Sequence, residues 1–162
     1  IPSGLEEFDV ILKNSLQEHG VNGRVILSNE VDKIKPFLFS AAHLALSKSG
    51  TINMELALNN VPQIVGYRVS RVTAFIAKRI LNFKVKFISP VNLLVKKLII
   101  PEFVQKDFNE KKIFYKACRL LDMTSEKARI KKGYTILKKE LGKEGVVDRA
   151  AKEIISSIMW PL

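Results

Sequence analysis

The fold of this chain is decided by the stretch Ala45-Leu46-Ser47-Lys48-Ser49-Gly50-Thr51-Ile52-Asn53-Met54-Glu55. An apolar run over about residues 43–46 predicts a strand, residues 47–50 predict a turn, and residues 51–58 predict a helix that ends at Asn59-Asn60. Asparagine suits that position because it tolerates the left-handed backbone of a helix end. A strand, a small-residue loop and a helix in this order are typical of a parallel α/β sheet, in which ligands bind where strands end.

The loop between this strand and this helix is suited to a phosphate group. A helix start presents unpaired backbone N–H groups and the positive end of the helix dipole. Gly50 would let an anion approach the backbone, and the hydroxyls of Ser49 and Thr51 can donate hydrogen bonds to phosphate oxygens. Glu55 follows Thr51 by about 6 Å along the helix axis, where a carboxylate can accept two hydrogen bonds from a ribose diol. An ordinary helix cap is the alternative interpretation.

Further strands and helices alternate around this stretch. The predicted elements are a helix over residues 5–16, a strand over 24–28, a helix over 29–38 that contains Pro36, strands over 61–67 and 86–88, and a helix over 70–81 between them. This alternation predicts βαβ units and a parallel sheet. From Phe103 onward no strand pattern appears, and three helical segments are predicted near residues 109–121, 124–141 and 145–158.

Composition is that of a soluble globular protein with a hydrophobic core: the chain has 162 residues, of which 47% are hydrophobic and 27% charged. It has no apolar run of the roughly 20 residues that a membrane-spanning helix needs. Because the chain starts without Met, we expect that upstream sequence has been removed. One cysteine and two histidines argue against a metal site, and we expect no cofactor.

Net charge is +11, from 27 Lys+Arg against 16 Asp+Glu, which favours an anionic partner. A non-catalytic nucleic-acid-binding module is one alternative, but the basic residues are spread out and lack an aromatic stacking platform, so no nucleic acid is expected. Residues 71–81 combine apolar and basic faces, with Lys84, Lys86, Lys96 and Lys97 nearby. They predict either a core helix with a solvated face or a surface that contacts an anionic membrane.

Five sequence blocks then follow one another in a distinctive order. They are Ser49-Gly50-Thr51 with Glu55, Val65-Gly66-Tyr67-Arg68, Phe75-Ile76-Ala77-Lys78-Arg79, Ile88-Ser89-Pro90-Val91-Asn92-Leu93-Leu94, and Ile99-Ile100-Pro101-Glu102-Phe103-Val104-Gln105. The series closely resembles lipid-A-disaccharide synthases, which carry Ser-Gly-Thr…Glu, Val-Val-Gly-Tyr-Arg, Ser-Leu-Pro-Asn-Leu and Pro-Glu…Gln blocks in that order. The resemblance covers about residues 26–105 and continues weakly through the helical tail.

The resemblance implies a GT-B glycosyltransferase, which has two Rossmann-like domains and holds its UDP-sugar mainly in the C-terminal one. We therefore expect an α/β fold in which residues 1–105 form a truncated Rossmann-like parallel sheet, one half of a GT-B fold. A C-terminal helical segment, residues 106–162, would pack on it. The implied function is lipid A biosynthesis, in which a hexosyltransferase moves diacylglucosamine from its UDP derivative to a diacylglucosamine phosphate acceptor and releases UDP.

The resemblance also implies site residues. Ser49, Gly50 and Thr51 would bind the diphosphate of the donor and Glu55 its ribose. It places five further residues near the active cleft without an individual role: Tyr67, Arg68, Asn92, Glu102 and Gln105. Three of these have plainer interpretations, Arg68 as a member of a surface ion pair, Asn92 as a loop cap and Glu102 as a first-turn helix acid.

Two departures from the family pattern bear on activity and location. The N-terminal half, expected to hold the acceptor and the catalytic base, is absent, as is the glycine-rich loop that opens the C-terminal half, so this chain alone should not turn over. Val91 stands between Pro90 and Asn92, where the family usually reads Leu-Pro-Asn. That variant is similar to plant and organelle-linked members and implies a mitochondrial location, whereas a bacterial member would work at the cytoplasmic face of a membrane.

Other arrangements and enzymes remain alternatives. A homodimer is a further expectation. Epimerases of UDP-GlcNAc and peptidoglycan-type transferases share a glutamate-bearing helix, but they are not expected to show the Ser-Pro-Val-Asn and Pro-Glu-Phe blocks.

Overall fold

The computed structural model describes residues 7–26, 28–70, 86–142 and 145–158. The chain divides into two compact units, Ile1–Ala42 and His43–Leu162. The first unit contains helices α1 (Glu7–Glu18) and α2 (Ser28–Ala41). The elements of the second unit are β1 (Ala45–Lys48), α3 (Ile52–Leu58), β2 (Gln63–Tyr67), α4 (Pro90–Val95), β3 (Glu102–Val104), a 3-10 turn (Gln105–Asp107), α5 (Glu110–Asp122), α6 (Thr124–Leu141) and α7 (Val146–Ile158).

Both helices of the first unit were predicted, but the strand between them was not correct. Residues 24–26 are irregular and Ser28 already begins α2. A β-branched run becomes a strand only where a neighbouring strand pairs with it, and the described residues provide no such neighbour here. Helix α2 contains Pro36, as expected, and continues three residues beyond the predicted end at Leu38.

The second unit is built on a sheet of three parallel strands in the order β1-β2-β3. Ala45 pairs with Gln63 and Lys48 with Gly66, while Val65 pairs with Glu102. Helix α3 connects β1 to β2, so these three elements form a βαβ unit, and the predicted α/β class with a parallel sheet and C-terminal helices is confirmed. Because the strands are parallel, their carboxyl ends lie at one edge of the sheet.

The third strand is not the one that the sequence pattern predicts. Residues 86–88 form a loop before α4, so the strand predicted there is wrong. The strand that pairs with the other edge of β2 is Glu102–Val104. The interpretation of Glu102 as a first-turn helix acid is therefore wrong as well. Three residues are too few for a periodic signal, and pairing with β2 is what makes them a strand. The helix predicted over residues 70–81 lies, from residue 71 onward, outside the described residues.

Helix α6 forms the centre of the hydrophobic core. Ile130, Tyr134 and Leu137 follow one another at helical spacing, and none of the three has any exposed surface. The helix contacts α3, α4 and α5. The buried residues of the core are Ala57, Ile64, Val65, Val91, Ile99, Ile100, Leu120, Ile130, Tyr134 and Leu137.

A charge cluster joins α5 to α6. Glu126 accepts hydrogen bonds from Lys116 Nζ at 3.0 Å and from Arg119 NH2 at 2.8 Å, and Arg129 NH2 lies 3.6 Å from its carboxylate. The hydrogen bond from Lys116, together with the charges of Lys116, Arg119 and Arg129, lowers the pKa of Glu126. The carboxylate therefore stays ionised at neutral pH, and its contribution to stability is lost only as the pH falls through that lowered pKa.

Helix α7 differs from α5 and α6 because every one of its residues is exposed. The three helical segments that follow residue 108 begin and end within one residue of their predicted positions. Across the described part of the chain, no helix combines the length and the apolar composition needed to cross a bilayer.

The close approach of α6 to the segment before β3 gives a stability prediction. A Cβ at Gly133 would overlap Ile99 Cγ2 and lie 2.9 Å from Ile99 Cγ1. We expect Gly133→Ala to lower the free energy of unfolding by about 1–3 kcal/mol, the usual cost of overpacking, measured by denaturant unfolding. In an Ile99→Ala background most of this cost should vanish, and additive effects of the two substitutions would contradict the contact.

Candidate functional site

Three loops follow the carboxyl ends of the three parallel strands in the second unit. Residues 49–51 follow β1, residues 68–70 follow β2, and Gln105 follows β3. Parallel sheets bind their ligands at this edge. The predicted site residues Ser49, Gly50, Thr51 and Arg68 are in these loops, and Tyr67 is the last residue of β2.

The loop after β1 is fixed by one side chain of the helix that follows it. Gly50 N–H donates to Asn53 Oδ1 at 2.9 Å, and Asn53 N–H donates to Gly50 O at 3.1 Å. Thr51 occupies the N-cap position, but its side chain makes no capping hydrogen bond. Within the part of the chain that the structure describes, the N–H groups of Thr51 and Ile52 have no acceptor. These two amides, not that of Gly50, are therefore available to an anion.

Gly50 contributes space to this loop. Apart from its two chain neighbours, no atom of the described residues lies within 4 Å of a Cβ built on Gly50. Gly50 is half-buried and Thr51 is exposed. The loop is thus partly open to solvent, most of all at Thr51.

A buried pair of amide side chains lies directly beneath the loop. Asn53 and Gln63 have no exposed surface. Asn53 Nδ2 donates to Gln63 Oε1 at 3.1 Å and to Ser47 Oγ at 2.9 Å, while Gln63 Nε2 donates to Asn53 O at 2.9 Å. The sequence analysis did not identify either residue. The available signal was a single amide residue in each of two mainly apolar elements, α3 and β2.

Tyr134 completes this buried cluster from helix α6. Its hydroxyl donates to Val61 O at 2.9 Å and accepts from Gln63 Nε2 at 3.2 Å. Burial raises the pKa of the Tyr134 phenol well above its ordinary value. The hydroxyl therefore remains protonated at any physiological pH and acts as a permanent hydrogen-bond donor.

Ser49 contacts the segment before α4. Its hydroxyl donates to Ile88 O at 2.6 Å. The hydroxyl proton is thus engaged within the chain, whereas the sequence analysis expected it to bind phosphate. The same peptide unit that offers Ile88 O also carries Ser89 N–H, which donates to Glu102 Oε1 at 2.9 Å.

Glu102 uses its carboxylate to hold this segment in place. Besides Ser89 N–H, it accepts hydrogen bonds from Ile88 N–H at 2.9 Å, Ser89 Oγ at 2.6 Å and Asn92 Nδ2 at 2.7 Å. Ser89 Oγ in turn accepts from Asn92 N–H and so caps α4. Four donors on one carboxylate make Glu102 an organiser of the segment between residues 88 and 92.

Asn92 has a comparable structural position. It is fully buried, and its Oδ1 accepts from Ile99 N–H at 2.8 Å and from Ile100 N–H at 3.1 Å. Its Nδ2 also donates to Ile100 O at 2.9 Å. Asn92 therefore joins α4 to the segment that leads into β3. This role differs from the loop cap considered from the sequence, since Asn92 is inside α4.

Arg68 lies beside an open cleft at the carboxyl end of β2. The cleft has a volume of about 620 Å³ and is lined by Arg68, Phe108, Asn109, Glu110, Lys111 and Ile113. The guanidinium lies 5.7 Å from the centre of the Phe108 ring, and NH2 donates to Phe108 O at 3.4 Å. The surface ion pair considered for Arg68 does not form with any carboxylate of the described residues.

Gln105 contacts the backbone of the residue that follows Arg68. Its Oε1 accepts from Val69 N–H at 3.3 Å, and its own backbone has the left-handed φ of 53°. Tyr67 is half-buried and pairs with Val104. Gly66 leaves room for the Phe108 ring, which a Cβ at that position would overlap.

Glu55 lies one turn into α3, as predicted. It is half-buried, and its N–H donates to Thr51 O at 3.3 Å. The structure thus brings Ser49, Asn92 and Glu102 into one hydrogen-bonded network, and it brings Arg68 and Gln105 together after β2 and β3. It places Glu55 on the helix that the Ser49–Thr51 loop begins.

Comparison with known proteins shows that the sequence is similar to those of one family. The sequence model described as lipid-A-disaccharide synthetase matches residues 4–158. The chain is 46% identical over 155 residues to a lipid-A-disaccharide synthase of Prochlorococcus marinus (strain MIT 9313), which covers 96% of this chain and 40% of that protein. It is 38% identical over 158 residues to that of Gloeothece citriformis (strain PCC 7424), covering 98% of the chain and 40% of the relative.

A third relative gives the same result. The lipid-A-disaccharide synthase of Synechocystis sp. (strain ATCC 27184 / PCC 6803 / Kazusa) is 34% identical over 155 residues, covering 96% of this chain and 38% of that protein. The chain therefore spans about two fifths of the length of these curated relatives.

The hydrogen bonds of Glu102 give a prediction that separates organisation from ligand binding. In Glu102→Gln an amide NH2 group replaces one carboxylate oxygen and faces N–H or O–H donors, so hydrogen bonds to that oxygen are lost. We therefore expect the free energy of unfolding to fall by about 1–3 kcal/mol. Denaturant unfolding measures this without any ligand. Glu140→Gln, at an exposed position of α6, is the control and should be neutral. Equal stability of both variants would show that the carboxylate does not organise the segment.

Proposed function

We propose, since the chain belongs to the lipid-A-disaccharide synthase family, that it is the UDP-sugar-binding part of a hexosyltransferase of lipid A biosynthesis. The donor would be UDP-diacylglucosamine and the acceptor a diacylglucosamine phosphate, joined into the lipid A disaccharide. One observation carries the proposal: the backbone amides of Thr51 and Ile52, which have no acceptor among the described residues, adjoin an open glycine at the carboxyl edge of a parallel sheet.

The diphosphate of the donor would lie against the loop Ser49–Thr51. The amides of Thr51 and Ile52 would donate to its oxygens, as would the exposed Thr51 hydroxyl. Gly50 supports this role through the free space above it. Since the hydroxyl of Ser49 donates to Ile88 O, Ser49 would contribute through the position of its backbone.

The uridine ribose would lie along α3, with its two hydroxyls donating to Glu55. The half-buried position of Glu55, one turn after Thr51, supports this assignment. Glu55 follows Thr51, the last residue of the loop, by about 6 Å along the helix axis. That separation is suited to a nucleotide whose phosphates lie at the loop.

The chemical role of these residues would be to stabilise the leaving group. In the transfer, an acceptor hydroxyl oxygen forms a bond to the anomeric carbon while the bond from that carbon to the β-phosphate oxygen of UDP breaks. The electron pair of the breaking bond stays on UDP, and fixed N–H donors at that oxygen lower the barrier. The proton of the acceptor hydroxyl passes to a general base, which we expect outside these 162 residues.

The cleft beside Arg68 is the proposed continuation of the donor site. Its exposed guanidinium supports the binding of an anionic group, because Arg presents a planar fork of donors that matches phosphate oxygens. Tyr67 and Gln105 flank it at the ends of β2 and β3. Asn92 and Glu102 would act on the donor site through the segment whose Ile88 O accepts from Ser49.

A peripheral contact with an anionic membrane is also part of the proposal, because both substrates are acylated. Leu93, Leu94 and Leu98 are 46%, 49% and 59% exposed, and Lys96 and Lys97 between them are exposed as well. Apolar side chains flanked by lysines suit the interface of a bilayer with acidic headgroups. The basic and apolar segment 71–81, which first suggested this contact, lies outside the described residues.

We also propose a cellular location and an oligomeric state for this protein. The relatives named above are cyanobacterial, which supports work at the cytoplasmic face of a bacterial membrane. A mitochondrial location has the support of the Pro90-Val91-Asn92 block. A homodimer stays a prediction from the family. The family match favours this transferase over an epimerase, a peptidoglycan-type transferase or a nucleic-acid-binding module.

Glu55→Ala tests the ribose assignment. Loss of hydrogen bonds to a charged group costs about 1.5–3 kcal/mol, so we expect the Kd for UDP, measured by calorimetry, to rise roughly tenfold to a hundredfold. The matched control is Glu140→Ala on the exposed surface. Replacing UDP by 2′-deoxy-UDP should weaken binding to the parent but should change binding to Glu55→Ala only a little. Equal losses on deoxygenation in the parent and the variant would refute the contact.

Gly50→Ala tests the diphosphate assignment. Because the new methyl group meets none of the described residues within 4 Å except its chain neighbours, we expect the free energy of unfolding to change by less than about 0.5 kcal/mol. Binding of UDP should nevertheless weaken at least about tenfold by steric exclusion, whereas binding of uridine should change little. A variant that binds UDP as the parent does would place the diphosphate elsewhere.

A further inference from the structure

We propose that Asn53, Gln63 and Tyr134 are positioning residues that set the orientation of the UDP-binding loop. They form a directional chain of hydrogen bonds from the core to Gly50, and none of them needs to touch the ligand. The inference rests on the proposed function, since it assigns a role in binding UDP. The structure itself supplies the chain of bonds.

The direction of this chain is fixed at its inner end by a main-chain carbonyl. Val61 O can only accept, so the Tyr134 hydroxyl must donate to it at 2.9 Å. The lone pair of that hydroxyl is then the acceptor for Gln63, which must turn its NH2 towards Tyr134 at 3.2 Å. Burial keeps the phenol protonated, so this direction does not reverse with pH.

The orientation of Gln63 then determines that of Asn53. With its NH2 towards Tyr134 and Asn53 O, Gln63 leaves Oε1 as the acceptor for Asn53 Nδ2 at 3.1 Å. Asn53 must therefore turn its Oδ1 the other way, where it accepts Gly50 N–H at 2.9 Å. A flipped amide at either residue would place two donors or two acceptors face to face.

At the loop, this chain of bonds pairs only one of three successive backbone N–H groups within the described part of the chain. Gly50 N–H points to Asn53, and the amides of Thr51 and Ile52 stay unpaired among the described residues. Asn53 Nδ2 also donates to Lys48 O at 3.2 Å and to Ser47 Oγ, which holds the end of β1. A loop fixed in this way loses little freedom when it binds an anion, and such preorganisation increases affinity.

Hydrogen exchange of the Gly50 amide tests the chain of bonds without any ligand. In the full chain, measured by NMR, this amide should be protected. Protection should be lost in Asn53→Ala and reduced in Gln63→Leu and Tyr134→Phe. The control is Leu137→Ala, which removes a core side chain of α6 outside the polar cluster. When it is compared with Asn53→Ala at the same free energy of unfolding, Leu137→Ala should retain the protection of the Gly50 amide. Unchanged protection in Asn53→Ala and Tyr134→Phe would overturn the inference.

Calorimetry with UDP tests the role in binding. Asn53→Ala should raise the Kd for UDP by about fivefold to tenfold, and Tyr134→Phe by a smaller factor, both beyond the change in Leu137→Ala. If the parent binds UDP and Asn53→Ala matches Leu137→Ala, the inference fails and the proposed function stands. If the parent binds no UDP, the proposed function fails, and the assigned role in binding fails with it.

Discussion

The buried hydrogen bond between the side chains of Asn53 and Gln63 is the interaction on which the rest of the site depends. It joins α3 to β2 inside a core of aliphatic side chains, where an unpaired amide would be costly. All four hydrogen-bonding positions of Gln63 are used: it donates to Asn53 O and Tyr134 Oη, and it accepts from Asn53 Nδ2 and Ser47 Oγ. A core that must satisfy these groups has few alternative packings.

The architecture around this pair explains how a small sheet can order the loops of the candidate site. Three short parallel strands bring three loops to one edge, and helix α6 covers the core with Ile130, Tyr134 and Leu137. Because the strands themselves carry few residues, polar side chains supply much of the order at the edge. Asn53 holds the loop after β1, and Glu102 holds the segment before α4.

The sequence was sufficient to predict the α/β class, the βαβ unit and the helices from residue 109 onward, because apolar spacing and the small residues of the loop are local signals. It did not predict β3, since Glu102-Phe103-Val104 becomes a strand only by pairing with β2. The runs at 24–28 and 86–88 resemble strands locally, but their described residues pair with no other described part of the chain. The role of Ser49 and Gly50 as ligand contacts stays a prediction. The bond from Ser49 to Ile88 O, 39 residues away, was not predicted because it joins distant parts of the chain. The bond from Gly50 to Asn53 is local, but it depends on the orientation that buried Gln63 gives to the Asn53 amide.

A single peptide plane, that between Ile88 and Ser89, has a consequence for how this protein can change. Its carbonyl accepts from Ser49 and its N–H donates to Glu102, so rotating that plane would break both bonds at once. The loop after β1 and the strand β3 are thereby mechanically linked. A laboratory selection scored on turnover alone would class Glu102 with the groups that contact substrate, although the bonds that the structure gives its side chain are to its own chain.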